Sequence, residues 1–181
     1  AVAGNTTTQR TKAYAAGATI DADGDIERGA ESATEIDALA VGIAGSLSRG
    51  SGTTGALAGA GSGVTNTIDN VIEAFITNST DDGSVSDIDA GGSLTVSALD
   101  RSTICADAAG VAISAALAKS NGSSYGVAVG VSVADNDINN EIRATIDNCS
   151  VPSSGTPSVS AGGDVSLSAT STAKVDALSI G

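Results

Sequence analysis

The chain has 181 residues with one Phe, two Tyr and no Trp or Met, so it lacks the aromatic side chains that usually supply the largest buried areas. Its 21 acidic residues outnumber 8 basic ones, giving a formal net charge of −13 with no histidine. That balance disfavours nucleic acid and anionic membrane surfaces as partners, and the missing imidazole removes the usual acid–base group near neutral pH.

No apolar run of about 18 residues exists, so no transmembrane helix is expected and membrane insertion is set aside. No signal peptide is evident, and the chain starts directly in repeat-like sequence, as a mature product or an excised fragment would. Two prolines exclude collagen-like or polyproline character, and the 41% hydrophobic content is too high for a disordered chain.

In chain order, the first recognisable segment is N-T-T-T-Q-R-T-K-A-Y-A from Asn5. The segment D-A-D-G-D follows from Asp21, with carboxylates on alternate residues and a glycine. Asp21, Asp23 and Asp25 are therefore candidate calcium ligands. The spacing is not that of an EF-hand, and a plain turn explains the same residues. The stretch I-D-A-L-A-V-G-I-A-G-S-L-S from Ile36 reads as strand rather than helix, because Gly42 and Gly45 each cost a helix about 1 kcal/mol and β-branched residues recur in it.

Two strongly patterned segments lie further on. The run G-V-A-I-S-A-A-L-A from Gly110 and the run G-V-A-V-G-V-S-V-A from Gly126 both alternate with period two, which is a strand signal. In the second, Val127, Val129, Val131 and Val133 share one face and small residues the other. The segment D-N-D-I-N-N-E makes Asp135 and Asp137 a second pair of calcium candidates, against the alternative of a solvated loop. Asp81, Asp82, Asp87 and Asp89 read as surface charge. Clusters of Gly, Ser, Asn and Asp between these runs mark turns.

The chain also repeats itself. N-T-I-D-N-V-I-E-A-F-I-T-N-S from Asn66 matches N-D-I-N-N-E-I-R-A-T-I-D-N-C from Asn136, and the Asn5 segment is a fainter copy. A-D-G-D-I from Ala22, A-G-G-S-L from Ala90 and A-G-G-D-V from Ala161 form a second landmark. D-A-L from Asp37, D-A-A from Asp107 and D-A-L from Asp176 form a third. Long-period repetition points to stacked units. The expected fold is all-β: an elongated β-solenoid built from units of about 70 residues, each of about three coils, in a rod roughly 40 Å long at a strand spacing of about 4.8 Å. A duplicated β-sandwich is the alternative. The units divide as residues 1–21, the end of a partial repeat; 22–90, repeat 1; 91–161, repeat 2; and 162–181, the start of a third.

Cys105 and Cys149 lie outside the repeat pattern, with Glu35 and Ser79 at the equivalent positions. They are either one disulfide in an oxidising setting or two free thiols. Four sequons, at Asn5, Asn78, Asn121 and Asn148, are candidate glycosylation sites; chance in a Ser/Thr-rich chain and asparagine ladders between stacked strands are the other readings. No catalytic motif is present, so the chain is not read as an enzyme.

The A-G-G-D-V-S-L-S-A-T-S-T-A-K-V-D-A-L segment, the valine run and the N-x-I-x-N-x-I-x-A-x-I-x-N pattern resemble the repeat region of very large secreted bacterial surface proteins. These are the filamentous-adhesin and haemagglutinin-like families, including leukotoxin-type filamentous adhesins. The resemblance implies an extracellular, cell-surface, β-rich stalk or fibre concerned with adhesion, and it carries no catalytic residues. Both ends fall inside a repeat, which fits either a piece of a longer array or a subunit pairing head to tail as a homo-oligomer or filament. The competing expectation is a calcium- or carbohydrate-binding adhesion module with a cell-surface or glycan ligand. No cofactor is expected, calcium apart.

Overall fold

The computed structural model describes residues 1–77, 86–119, 121–147 and 159–181. These hold thirteen strands and no helix: β1 (Val2–Ala16), β2 (Thr19–Ala22), β3 (Ile26–Ser32), β4 (Glu35–Gly50), β5 (Thr54–Thr77), β6 (Asp87–Ala90), β7 (Leu94–Asp100), β8 (Thr103–Ala118), β9 (Ser124–Ile138), β10 (Glu141–Asp147), β11 (Val159–Ala161), β12 (Val165–Ser171) and β13 (Lys174–Ile180). The Ile36 stretch is the strand β4, as β-branched residues and interior glycines predict.

Every strand pairing among the described residues is parallel. The strands assort into four sheets. One holds β1, β5 and the consecutive strands β9 and β10; the others run β2-β6-β11, β3-β7-β12 and β4-β8-β13. The chain therefore passes through the four sheets in order and then lies down beside its own previous pass. β1–β4 form the first layer, β5–β8 the middle layer and β9–β13 the third.

The step between layers is a whole circuit of the chain. Asn5 pairs with Asn66, 61 residues on, and Asn66 with Asn136, 70 residues on. Asp89 pairs with Ser160, 71 residues on. The expected three coils per unit is therefore corrected to one layer per circuit. The cause is strand length: β5 has 24 residues and a contour of about 80 Å at ~3.3 Å per residue, so four sheets consume the entire period. Three layers are only about 10 Å deep between outer backbones, far short of the expected 40 Å.

A second correction concerns register. Asp37 and Asp176 both stand opposite Cys105, not in line with Asp107, and Glu35 stands opposite Thr103. Ile36, Ile104 and Val175 share one rung instead. A shift of two residues keeps every side chain on its own face, so face alternation alone cannot choose between these alignments.

The core sits in the middle layer, which has a neighbour on each side. Ile72, Ile76, Ile88, Leu94 and Val96 form one fully buried group, and Val64, Ile68 and Ile104 belong to another. Each such side chain contributes about 1.5–3 kcal/mol on burial. In β12 and β13 of the third layer every residue is exposed.

Beyond the isoleucine-filled body the molecule narrows to a thin arm. Residues 41–50 of β4 and 109–118 of β8 lie over residues 54–63 of β5 and 124–133 of β9. Its inward positions are small: Gly42, Ala44, Ser46 and Ser48 on one side, and Ala56, Ala58, Ala60 and Ser62 on the other. Backbones touch across it. A Cβ on Gly110 would stand 2.5 Å from the Val131 carbonyl oxygen, and the hydroxyls of Ser132 and Ser179 meet at 2.6 Å. The larger side chains of the same strands consequently face out.

Candidate functional site

Four features carry the polar and reactive chemistry. The first is a set of side-chain ladders running from layer to layer. The Asn5 amide donates to Asn66 Oδ1 at 2.8 Å, and the Asn66 amide donates to Asn136 Oδ1 at 2.7 Å. Four residues along, Asn70 Oδ1 accepts from the Gln9 backbone N–H at 3.0 Å, and Asn140 Oδ1 accepts from the Asn70 backbone N–H at 2.8 Å. Asn70 also donates to Thr34 Oγ1, and Asn140 to Ser102 Oγ. Asn66 and Asn70 are fully buried, so these bonds satisfy amides that would otherwise be costly. The ladder reading of Asn5 thus describes its contacts. Asn121 is exposed in a left-handed conformation with φ 65°, which asparagine tolerates. Asn78 and Asn148 lie outside the described residues.

The second feature is the corner between β7 and β8. Asp100 is fully buried at the end of β7. Its Oδ1 accepts from Ser102 Oγ at 2.6 Å and from the Ser102 backbone N–H at 3.1 Å, and its Oδ2 accepts from Ser171 Oγ at 2.9 Å. Desolvation is the largest single influence and pushes the carboxyl up. The hydrogen bonds from Ser102, Asn140 and Ser171 outweigh it, and the group lies below the ordinary aspartate range.

The third feature is a charged and aromatic strip on the outer face of β1, β5 and β10. Lys12, Glu73 and Arg143 share a rung, with Lys12 Nζ 2.7 Å from Glu73 Oε2 and Arg143 3.9 Å from Glu73 Oε1. Arg143 also pairs with Glu141. The hydrogen bond from Lys12 holds the Glu73 carboxyl below its usual range. Two residues on, Tyr14 stacks on Phe75 with centroids 5.3 Å apart. Lys12, Glu73, Phe75 and Arg143 line an open hollow of about 450 Å³.

The fourth feature is Cys105, a free thiol on the outer face of β8. It stands between Asp37 and Asp176 on the two neighbouring strands. Desolvation first, and then the charges of Asp37 and Asp176, push the thiol up. Its disulfide candidate, Cys149, lies outside the described residues.

The calcium candidates fall in two places. Asp21, Asp23 and Asp25 surround the turn between β2 and β3 and are exposed. The Asp25 carboxylate accepts the Ser93 backbone N–H at 2.7 Å, which ties this turn to its neighbour in the next layer. Gly91 and Gly92 lie so close beneath the 23–25 backbone that side chains there would collide with it. Asp135 and Asp137 stand exposed on β9, beside Thr65 and Thr67 of β5. The two sets are on different sheets, and among the described residues no three His, Cys, Asp or Glu side chains converge as metal ligands would. Asp87 and Asp89 of the third acidic segment are exposed on β6, and Asp81 and Asp82 lie outside the described residues.

Sequence reasoning missed the apolar outer skin of the arm. Ile43 is 77% exposed and Ile113 65%; on the opposite face Leu57 is 75% exposed and Val131 55%. The period-two pattern announced one valine face, and the glycine, alanine and serine content of the other face was the signal that small residues would take the interior. Among the described residues no helix is long and apolar enough to cross a membrane. No protein-family model matches the sequence, and neither a curated protein nor a solved structure matches it.

Proposed function

We propose that the chain is a structural repeat protein of the β-solenoid kind, acting outside the cell as a stalk or fibre element of a surface adhesin. The observation that carries this reading is the ladder Asn5–Asn66–Asn136. Matching inward amides bond along the stacking direction, so each layer is a template for another like it. The layers add through parallel backbone bonds, and the outer edges of β1–β4 and of β9–β13 offer the same bonding groups to further layers. Stiffness then follows from backbone ladders and small-residue packing, and the acidic surface keeps such rods hydrated.

Electron microscopy of concentrated protein tests the self-assembling form. Head-to-tail stacking gives rods that grow by about 14 Å per chain, three strand spacings of ~4.8 Å. Discrete particles of one chain at every concentration would eliminate that form. Calcium titration separates the competing adhesion module: a ligand of the native state must raise the thermal midpoint by mass action.

A further inference from the structure

We propose that the outer face of the arm formed by β4 and β8 docks a second copy of this chain, the two arms lying face to face and antiparallel. The face is built by alternation: Val41, Ile43, Leu47, Val111, Ile113 and Leu117 all point outward and are 44–77% exposed. No ionisable residue interrupts residues 39–48 of β4 or 108–118 of β8. At about 100 Å² apiece, these side chains and their apolar neighbours offer on the order of 700 Å², above the largest patch of an ordinary monomer and near the ~800 Å² per partner of a standard interface.

Charge placement selects the partner and its direction. At the base of the face stand Glu35, Asp37, Asp107 and Asp176, all exposed, against the single cation Lys174. At the tip stand Arg49 and Lys119, both exposed. Ile43 is midway along β4 between Asp37 and Arg49. A two-fold axis lying above Ile43, parallel to the sheet plane and perpendicular to the strands, brings Arg49 of each copy over the acidic base of the other and closes both apolar faces. Aligned sheets pack in this way about 10 Å apart, and a two-fold contact of this type is self-complementary. The opposite face does not offer this match. Its outward positions on β5 are Gly55, Leu57, Gly59, Gly61 and Gly63, of which only Leu57 is large, and among the described residues no cation stands at its tip. A lipid surface fits less well than a second copy, because the net charge is −13 and hydrocarbon leaves open sheet edges unsatisfied. This face-to-face contact is distinct from layer-on-layer stacking and does not depend on it.

Sedimentation velocity over a concentration series tests the proposal, with far-UV circular dichroism confirming that each variant is folded. The expected result is a concentration-dependent dimer that Ile43→Lys with Ile113→Lys weakens at least tenfold, while Val129→Lys with Val131→Lys on the opposite face leaves it unchanged. Arg49→Asp, at the exposed tip and away from the packing, should weaken the dimer too, and Arg49→Asp with Asp37→Arg should restore it. With both native cysteines replaced by serine, Ile43→Cys should cross-link to its own copy through a short bifunctional thiol reagent, since facing sheets about 10 Å apart are too far for a direct disulfide. A monomer at every concentration, equal losses from the two lysine pairs, or no restoration by the charge exchange would overturn the proposal. Flotation with phosphatidylcholine vesicles by a protein that stays monomeric would overturn it in favour of a lipid surface.

Discussion

Gly42 of β4 lies against the carbonyl group of Gly61 in β5, so close that a methyl group on Gly42 would overlap the oxygen. This contact sets the thickness of the arm, since side chains at this point would force the two sheets apart. Gly45, three residues on, faces outward and has ordinary clearance. We expect Gly42→Val to destabilise the fold by about 1–3 kcal/mol through overpacking, whereas Gly45→Val should change stability by less than about 1 kcal/mol. Chemical denaturation of the two variants against the parent chain checks this, and equal effects would refute the close-packed arm.

Asn66 is both a donor and an acceptor in a fully buried ladder. Removing its amide strands the partners on two neighbouring strands. We expect Asn66→Ala to cost about 2–3 kcal/mol, more than its small loss of apolar area would suggest. Asn66→Asp should be worse still near neutral pH, because it places an unpaired charge in the same slot. A value below about 0.5 kcal/mol for the alanine variant would show that the ladder contributes no net stability.

These two contacts show how far the sequence could be read. Asn5, Asn66 and Asn136 were alignable because buried asparagine is rare enough to mark a rung, and that alignment matches the observed register. The Asp37 landmark misled because Asp37 points to solvent, where nothing holds its identity, and a slip of two residues leaves inside and outside unchanged. The pairing of Asn66 with Asn136, 70 residues on, was legible, but the number of layers per circuit was not. Strand length decides it, and the glycines within β4 and β5 look like turn residues until the facing sheet is known to need them. The apolar skin of the arm was hidden for the same reason: valine on one face is ordinarily taken as the buried face.

Ser46 and Ser62 carry hydroxyls that are buried in the arm with no hydrogen-bond partner among the described residues. Each pays for desolvation without compensation. Ser46→Ala and Ser62→Ala should therefore be neutral or stabilising, by up to about 1–2 kcal/mol. Thermal unfolding of the two variants tests this, and a loss of more than about 1 kcal/mol would mean that the hydroxyls are bonded in solution.

Cys105 is a slow nucleophile by placement. Desolvation and the flanking Asp37 and Asp176 raise its pKa and so lower its thiolate fraction. Asp37→Asn should speed alkylation by iodoacetamide near pH 8 by severalfold, with the fold unchanged because Asp37 is exposed. Rates that do not respond to this substitution would show that the Asp37 charge does not slow the reaction, leaving burial and Asp176.

Asp100 links the β7 corner to acid stability. Its folded carboxyl lies below the ordinary aspartate range because Ser102, Asn140 and Ser171 bond the charged form more strongly than desolvation opposes it. A depressed folded pKa contributes stability that is fully present above the unfolded value of about 3.9 and is lost as pH falls through the folded value. Asp100→Ala, which strands several donors at once, should cost about 2–4 kcal/mol near neutral pH. Asp100→Asn keeps one acceptor and cannot titrate, so it isolates the charge. The stability difference between parent and Asp100→Asn should be constant above about pH 5 and shrink progressively below about pH 4. Urea denaturation from pH 2 to 7 measures it directly. A difference that stayed constant across that range would mean that the hydrogen bonds do not prefer the ionised carboxyl.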